Sequence, residues 1–402
     1  MDITKQQDNL FNRNRIVTVL LVVLCLSFQS LAVGGIALFL PVIKQEFGFS
    51  FTQGGAISAA SLLIYALMQI PSGYLSDRFG SKRLFSTGVL GVTILSFTLG
   101  LVTDYWQVVA NQAVGGFFRA LMFAPGMALL AGWFSKERRA TALGLHLFGI
   151  LFGQIVLNSS GPFIAAKHDW QFIFIVFSAV GIAVSFAYLF LGKESPSGPA
   201  HTVNMRDALQ LLRERTIWYC NAIQYVRLAV FQGFAFWLPT LLVEEKGLSL
   251  QVTGLIIAAR TVLIAPSSIA GSYLSDKLKT PTTVIGLSLA VLAVTTALII
   301  EVQSISIVIA LILINSLFIQ LSFGPLFAIP SEKYGARITG TTSGIGNFFA
   351  NLGSFTFAYL LGALKDASGS FESGFLAMVG ACLFGLLFTV FLEMDRRKTA
   401  EQ

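Results

Sequence analysis

The sequence predicts an all-α membrane protein of twelve transmembrane helices in two six-helix halves. Three observations carry that expectation. Hydrophobic residues make up 55 % of the chain and charged residues only 12 %, where a soluble domain carries about 25 % charged. Apolar runs of the roughly 20 residues needed to cross a bilayer follow one another along the chain. The polar segments between them alternate between strongly basic and nearly free of lysine and arginine.

The elements follow in order. Arg13 and Arg15 precede an apolar stretch at 16–40. It is too long for the core of a cleaved signal and has no small-residue cleavage site before a soluble domain, so it reads as the first span. Further helices are expected at 52–76, 84–103, 106–131, 140–165 and 170–191. The second half gives 216–241, 250–275, 282–301, 304–329, 338–363 and 371–393. Between the halves, 1–191 and 216–402, lies the longest polar stretch, GKESPSGPAHTVNMRDALQLLRER at 192–215, read as a cytoplasmic central loop with a short amphipathic segment.

Of the 27 lysines and arginines, 20 fall on one set of alternating segments, which includes both termini, and the outer loops hold only Lys44, Lys167, Lys246 and Lys365. This is the positive-inside pattern, so both termini are expected in the cytoplasm. It also accounts for the net charge of +7 without nucleic acid as a partner. The short loops and tails suggest a bacterial inner (plasma) membrane. Cys25, Cys220 and Cys382 sit in apolar segments at unrelated spacings and read as small buried residues. The three histidines, His146, His168 and His201, are widely separated. With them no metal cluster or nucleophile–base pair is expected, and no nucleotide-binding loop is evident, so an enzyme, a cofactor and direct ATP use are not expected.

The loop after the second helix reads GYLSDRFGSKR (73–83), and its counterpart in the second half, GSYLSDKLK (271–279), is a degenerate copy. The first resembles the signature of the major facilitator superfamily in that loop, and the resemblance extends over the whole chain in length, helix count and central loop. It implies two pseudo-symmetric six-helix bundles, internal repeats and a transporter that works by alternating access, usually as a monomer. In the family this loop braces the cytoplasmic side. The resemblance therefore implies gating roles for Asp77, Arg78, Gly73, Gly80 and Asp276, with the basic cluster KERR at 136–139 beside them. Topology marking alone explains Arg78, Lys82 and Arg83 but neither Asp77 nor the glycines. On the fifth helix Gly161 and Pro162 fit the drug–proton antiporter signature, while Gly144, Gly149 and Gly153 do not match its spacing. PSEKYGARITGTTSG at 330–344 resembles the loop before the eleventh helix of many solute permeases.

Three basic residues remain, Arg119, Arg227 and Arg260, each near the centre of a predicted helix. A mid-membrane arginine costs about 2.5–3.5 kcal/mol on insertion scales. The usual partner would be a carboxylate, yet all 20 acidic residues fall in loops, tails or helix ends, Glu301 being the nearest to an exception. Uncompensated cations around a mid-membrane cavity would receive an anion, and guanidinium suits planar oxyanions because it donates in a fork. The competing reading pairs such arginines with backbone carbonyls or water.

On the seventh helix Asn221, Gln224, Tyr225 and Gln232 fall on an arc of about 100° with Arg227 beside it. On the eleventh, Ser343, Asn347, Asn351 and Ser354 form a polar stripe, and on the fourth Gln112 shares a face with Arg119. Such stripes serve either a ligand or helix packing. Tyr65, Gln69 and Gln29 are further candidates. Phe236 and Trp237, before Pro239, suit either an outer gate or an interfacial anchor. His146 is the intramembrane group able to titrate near neutrality, a candidate for proton coupling or simply a packed ring.

These features predict a secondary transporter, working as proton symporter or anion exchanger, for a small anion such as a carboxylate, sugar acid, phosphate ester, nitrate or cyanate. The alternatives are a permease for amino acids or other zwitterions, and a multidrug efflux antiporter.

Overall fold

A computed structural model of the chain describes residues 2–134, 138–195, 211, 213–334 and 339–400. Thirteen α-helices run through them in chain order. The first six are α1 (Asp2–Phe47), α2 (Phe51–Phe79), α3 (Ser81–Leu99), α4 (Tyr105–Gly132), α5 (Arg139–Ala165) and α6 (Trp170–Leu191). They are followed by α7 (Arg215–Thr240), which runs into a π-helical turn at Leu241–Glu245, then α8 (Leu250–Leu278) and α9 (Pro281–Glu301). The last are α10 (Ile305–Phe318), α11 (Phe323–Tyr334), α12 (Thr339–Ser368) and α13 (Glu372–Ala400). Ten membrane-length apolar helical stretches occur among the described residues, one of them running from α10 through α11. This is a multi-pass membrane protein. The single tenth span expected at 304–329 is instead two helices, with a turn at 319–322.

Helix ends follow local chemistry. The Asp104 side chain accepts from Gln107 N at 3.0 Å and caps α4, and Ser249 accepts from Val252 N and caps α8. Gly48 and Gly369 close α1 and α12 with positive φ, each donating its N–H to a carbonyl four residues back.

Contacts divide the chain into two compact units, Met1–Phe39 with Leu67–Thr202, and Leu40–Ala66 with Val203–Gln402. The hairpin formed by the end of α1 and the start of α2 thus packs with the second unit. In the first unit a buried core gathers Val22, Leu26, Phe85, Val89, Met122, Leu129 and Tyr188. Here α5 lies so close to α1 that a Cβ on Gly153 would strike the Ser27 carbonyl, and one on Gly149 would sit 2.7 Å from the Val23 carbonyl. Ser27 and Ser30 donate back across the same crossing, to the Gly149 and Ile150 carbonyls. Gly149 and Gly153 therefore serve close helix packing.

In the second unit α7 packs along α12, and a Cβ on Gly353 would strike the Tyr225 carbonyl. Trp237 is fully buried rather than set at an interface. Its Nε1 donates to the Ala358 carbonyl at 2.9 Å, and its ring lies edge-on to Phe236 and tilted against Phe51 and Phe371. The same unit joins Lys44 to Glu244 and Lys365 to Glu245, and the Asp366 carboxylate caps α2 by accepting from Phe51 N and Thr52 N. Cys25, Cys220 and Cys382 are buried and free.

Candidate functional site

Arg227 and Arg260 are both buried near the middle of their helices, 2 % and 3 % exposed. Both belong to the second unit. Their surroundings differ in kind. Arg227 is held by two neutral amides: its Nε donates to Gln224 Oε1 at 2.9 Å, one turn back on α7, and its Nη1 to Gln320 Oε1 at 2.8 Å. The ring of Phe323 lies 5.1 Å from its Cζ. Arg260, from α8, meets two phenyl rings, Phe234 at 5.4 Å and Phe231 at 5.6 Å. Its Nε and Nη2 have no hydrogen-bond partner among the described residues.

Phe231 and Phe234 lie one and two turns beyond Arg227 on the same face of α7, roughly 6 and 10 Å along the axis at 1.5 Å per residue. The Arg260 guanidinium therefore reaches the face that carries Arg227. Two cations share one helix face, and neither has a carboxylate on it among the described residues. The ion pairs found there all lie near helix ends: Lys44–Glu244, Lys333–Asp395, Lys365–Glu245, Arg396–Glu332 and Arg397–Glu393.

The other predicted residues divide. Asn221 is buried with its Nδ2 unpartnered among the described residues, and its Oδ1 would lie 3.8 Å from a Cβ on Gly346. Tyr225 and Gln232 are half-buried on α7. Asn351 donates to the carbonyl of Asn347 in its own helix at 2.8 Å, and Ser354 to the Leu228 carbonyl of α7 at 3.3 Å. Both donors at this end of the α12 stripe turn to main-chain carbonyls, and the side chain of Ser343 lies outside the described residues. Tyr65 is half-buried on α2.

In the first unit, Arg119 is buried on α4. Gln112, on the same helix, donates to Asn111, which in turn donates to the Leu95 carbonyl of α3. His146 is 1 % exposed on α5, edge-on to Phe123, and neither ring nitrogen has a hydrogen-bond partner among the described residues.

In the predicted gating loop, Gly80 has φ +88° and opens α3, where Glu194 accepts from Lys82 N at 3.0 Å and supplies a carboxylate to the helix start. A side chain on Gly73 would meet open space, and Arg78 and Asp276 are exposed. The Asp77 side chain lies outside the described residues, as do Lys136, Glu137 and the side chain of Arg139.

Sequence reasoning missed Gln320, Phe323, Phe231 and Phe234. The available signal was Gln320 itself, the one amide in the apolar run INSLFIQLSFGP after Asn315.

Residues 22–358 match the family described as Major Facilitator Superfamily. A D-galactonate transporter of Escherichia coli O6:H1 is 22 % identical over 393 residues, covering 89 % of this chain and 90 % of the relative. A nitrite extrusion protein of Bacillus subtilis is 24 % identical over 360 residues, 85 % of each chain. Among solved structures, a bacterial homolog of the human lysosomal transporter Spinster superposes with a TM-score of 0.79 at 16 % identity, covering 96 % of this chain and 97 % of that one.

Proposed function

Because the chain belongs to the Major Facilitator Superfamily, a family of transporters rather than enzymes, we propose that it is a secondary transporter whose substrate is a small anion bearing a planar oxyanion group. The observation that carries this reading is the pair of buried guanidinium groups on one face of α7, held by amides and phenyl rings and by no carboxylate among the described residues. A guanidinium so held keeps its full charge and spare donors in a low-dielectric setting, where an incoming carboxylate or nitrite-like anion gains most from the contact. Relatives named for D-galactonate and nitrite transport are of the same substrate class.

Arg227 and Arg260 are the anion ligands, and Arg119, buried on α4, is a further candidate. Asn221, Gln224, Tyr225 and Gln232 furnish polar contacts along α7, with Asn347 and Asn351 on α12 and Tyr65 on α2 as further candidates. His146 is the candidate for proton coupling: it is an imidazole within the fifth span, and neither ring nitrogen has a hydrogen-bond partner among the described residues. Asp77, Arg78, Gly73, Gly80 and Asp276 serve the gating loops. The chain resides in a bacterial inner membrane with both termini in the cytoplasm and works as a monomer.

Proteoliposomes test the reading directly. An internal load of D-galactonate, glucuronate or nitrite should drive counterflow of the same labelled anion, and Arg227→Gln should slow it at least about tenfold, the equivalent of one charge-assisted hydrogen bond. Movement of lipophilic cations in place of every anion would defeat it.

A further inference from the structure

The turn between α10 and α11 interrupts a span in mid-course. Across it Leu321 N donates to the Phe318 carbonyl and Phe323 N to the Gln320 carbonyl, both at 3.1 Å. These are i→i+3 bonds, a tightened turn. Two neighbouring helices add donors to the carbonyls at its start. Ser267 of α8 donates to the Leu317 carbonyl and Ser288 of α9 to the Phe318 carbonyl, each at 2.7 Å. Gly271 of α8 lets the Leu321 carbonyl pass where any Cβ would collide. The break is thus pinned from two sides, and what it presents is fixed in place.

It presents Gln320 to Arg227. For a guanidinium buried in an apolar span, a carboxylate at this position would be the stronger partner, adding a full countercharge to the same acceptor geometry. An amide offers the oxygen without the charge. With Gln224 on the Nε edge, Gln320 on Nη1 fixes the plane and direction of the guanidinium yet leaves it cationic.

We propose that Gln320, held in the pinned break, is the positioning residue that sets the charge selectivity of this site: with Gln224 it forms a neutral amide clamp that orients Arg227 and reserves its charge for a bound oxyanion. This rests on the anion reading of the two arginines. It predicts that changing the amide to its isosteric acid turns the site against anions, because the protein then supplies the counterion itself.

The test compares full-length wild type, Gln320→Glu and Gln320→Met by melting temperature without ligand and by dissociation constants for a panel of sodium salts (D-galactonate, glucuronate, nitrite, nitrate and phosphate). Gln320→Glu should melt at or above wild type and bind the preferred anion at least about tenfold more weakly. Gln320→Met, which loses the acceptor but adds no charge, should weaken binding several-fold less than that. Equal losses in the two variants, or unchanged affinity in Gln320→Glu, overturn the assignment while leaving the anion site standing. Wild type that binds none of the salts sinks the anion reading, and the clamp with it. Should Gln320→Glu not fold, Gln320→Met decides alone: about threefold or greater weakening supports the clamp, and wild-type affinity overturns it.

Discussion

Replacing Arg260 with glutamine should leave the empty protein as stable as before, or more so, while removing most of its response to anions. The magnitude follows from its surroundings. An arginine at a helix centre costs about 2.5–3.5 kcal/mol. The rings of Phe231 and Phe234 return about 1 kcal/mol each. Nε and Nη2 gain nothing further from hydrogen bonds to described residues. A deficit of about 1 kcal/mol remains, and Arg260→Gln relieves it. With ligand the sign reverses. At an anion concentration of 100 times Kd, wild type gains about 2.7 kcal/mol of stability by mass action. Loss of a two-bond fork weakens Kd about 100-fold or more. The same concentration then equals the variant's Kd, and the gain falls to about 0.4 kcal/mol. Thermal unfolding in detergent, with and without the anion, reads both quantities at once. The reasoning fails if the empty variant is markedly less stable and its anion-dependent shift is retained, for Arg260 would then be a structural residue.

Three further outcomes are expected. Gly353→Ala drives a methyl into the Tyr225 carbonyl at the α7–α12 crossing and should cost about 1–3 kcal/mol in thermal unfolding, and a neutral result would mean that the two helices separate easily. His146→Phe, in an apolar setting against Phe123 and Gly126, should fold normally, abolish proton-driven accumulation and spare anion counterflow; unchanged accumulation would make His146 a packing residue. Asp366 lies beyond the predicted eleventh span. Slight burial would raise its carboxyl, but the hydrogen bonds from Thr52 and Phe51 outweigh that and hold it below the ordinary carboxylate range. Its contribution is therefore complete above the unfolded-state pKa and is lost as pH falls through the lower folded value. Asp366→Asn should flatten the acid limb of a stability–pH profile, and an identical limb in the variant would refute the capping role.

The spans were legible because twenty apolar residues in a row have few uses outside a bilayer, and the arginines stood out because charges inside such runs are rare. The absence of acidic residues from the spans was equally visible. What the chain did not reveal depends on residues far apart in sequence. The run at 304–329 is continuously apolar, and the break after Phe318 is shaped by Ser267, Ser288 and Gly271 on other helices. Phe231 and Phe234 were hidden among 36 phenylalanines, where lipid contact and core packing use the same residue type. Trp237 looked like an interfacial ring. Its burial depends on Phe51 and Phe371, which come from opposite ends of the chain. On α12 helical periodicity placed Asn351 and Ser354 on one stripe, but it does not determine whether a donor turns to a ligand or to a carbonyl nearby.

Arg227 and Arg260 are two solutions to one problem, that of holding a cation without neutralising it. Amides give direction: they fix the guanidinium plane and leave its charge intact. Phenyl faces give attraction without direction and leave hydrogen-bond donors unused. On the anion reading, an oxyanion at the α7 face would meet one fork aimed by amides and a second whose Nε and Nη2 have no hydrogen-bond partner among the described residues. On that reading, such a site selects for an oxyanion end rather than for a particular molecular body. The preference for an anion at all then rests on the neutral partners of Arg227, Gln224 on α7 and Gln320 in the break between α10 and α11.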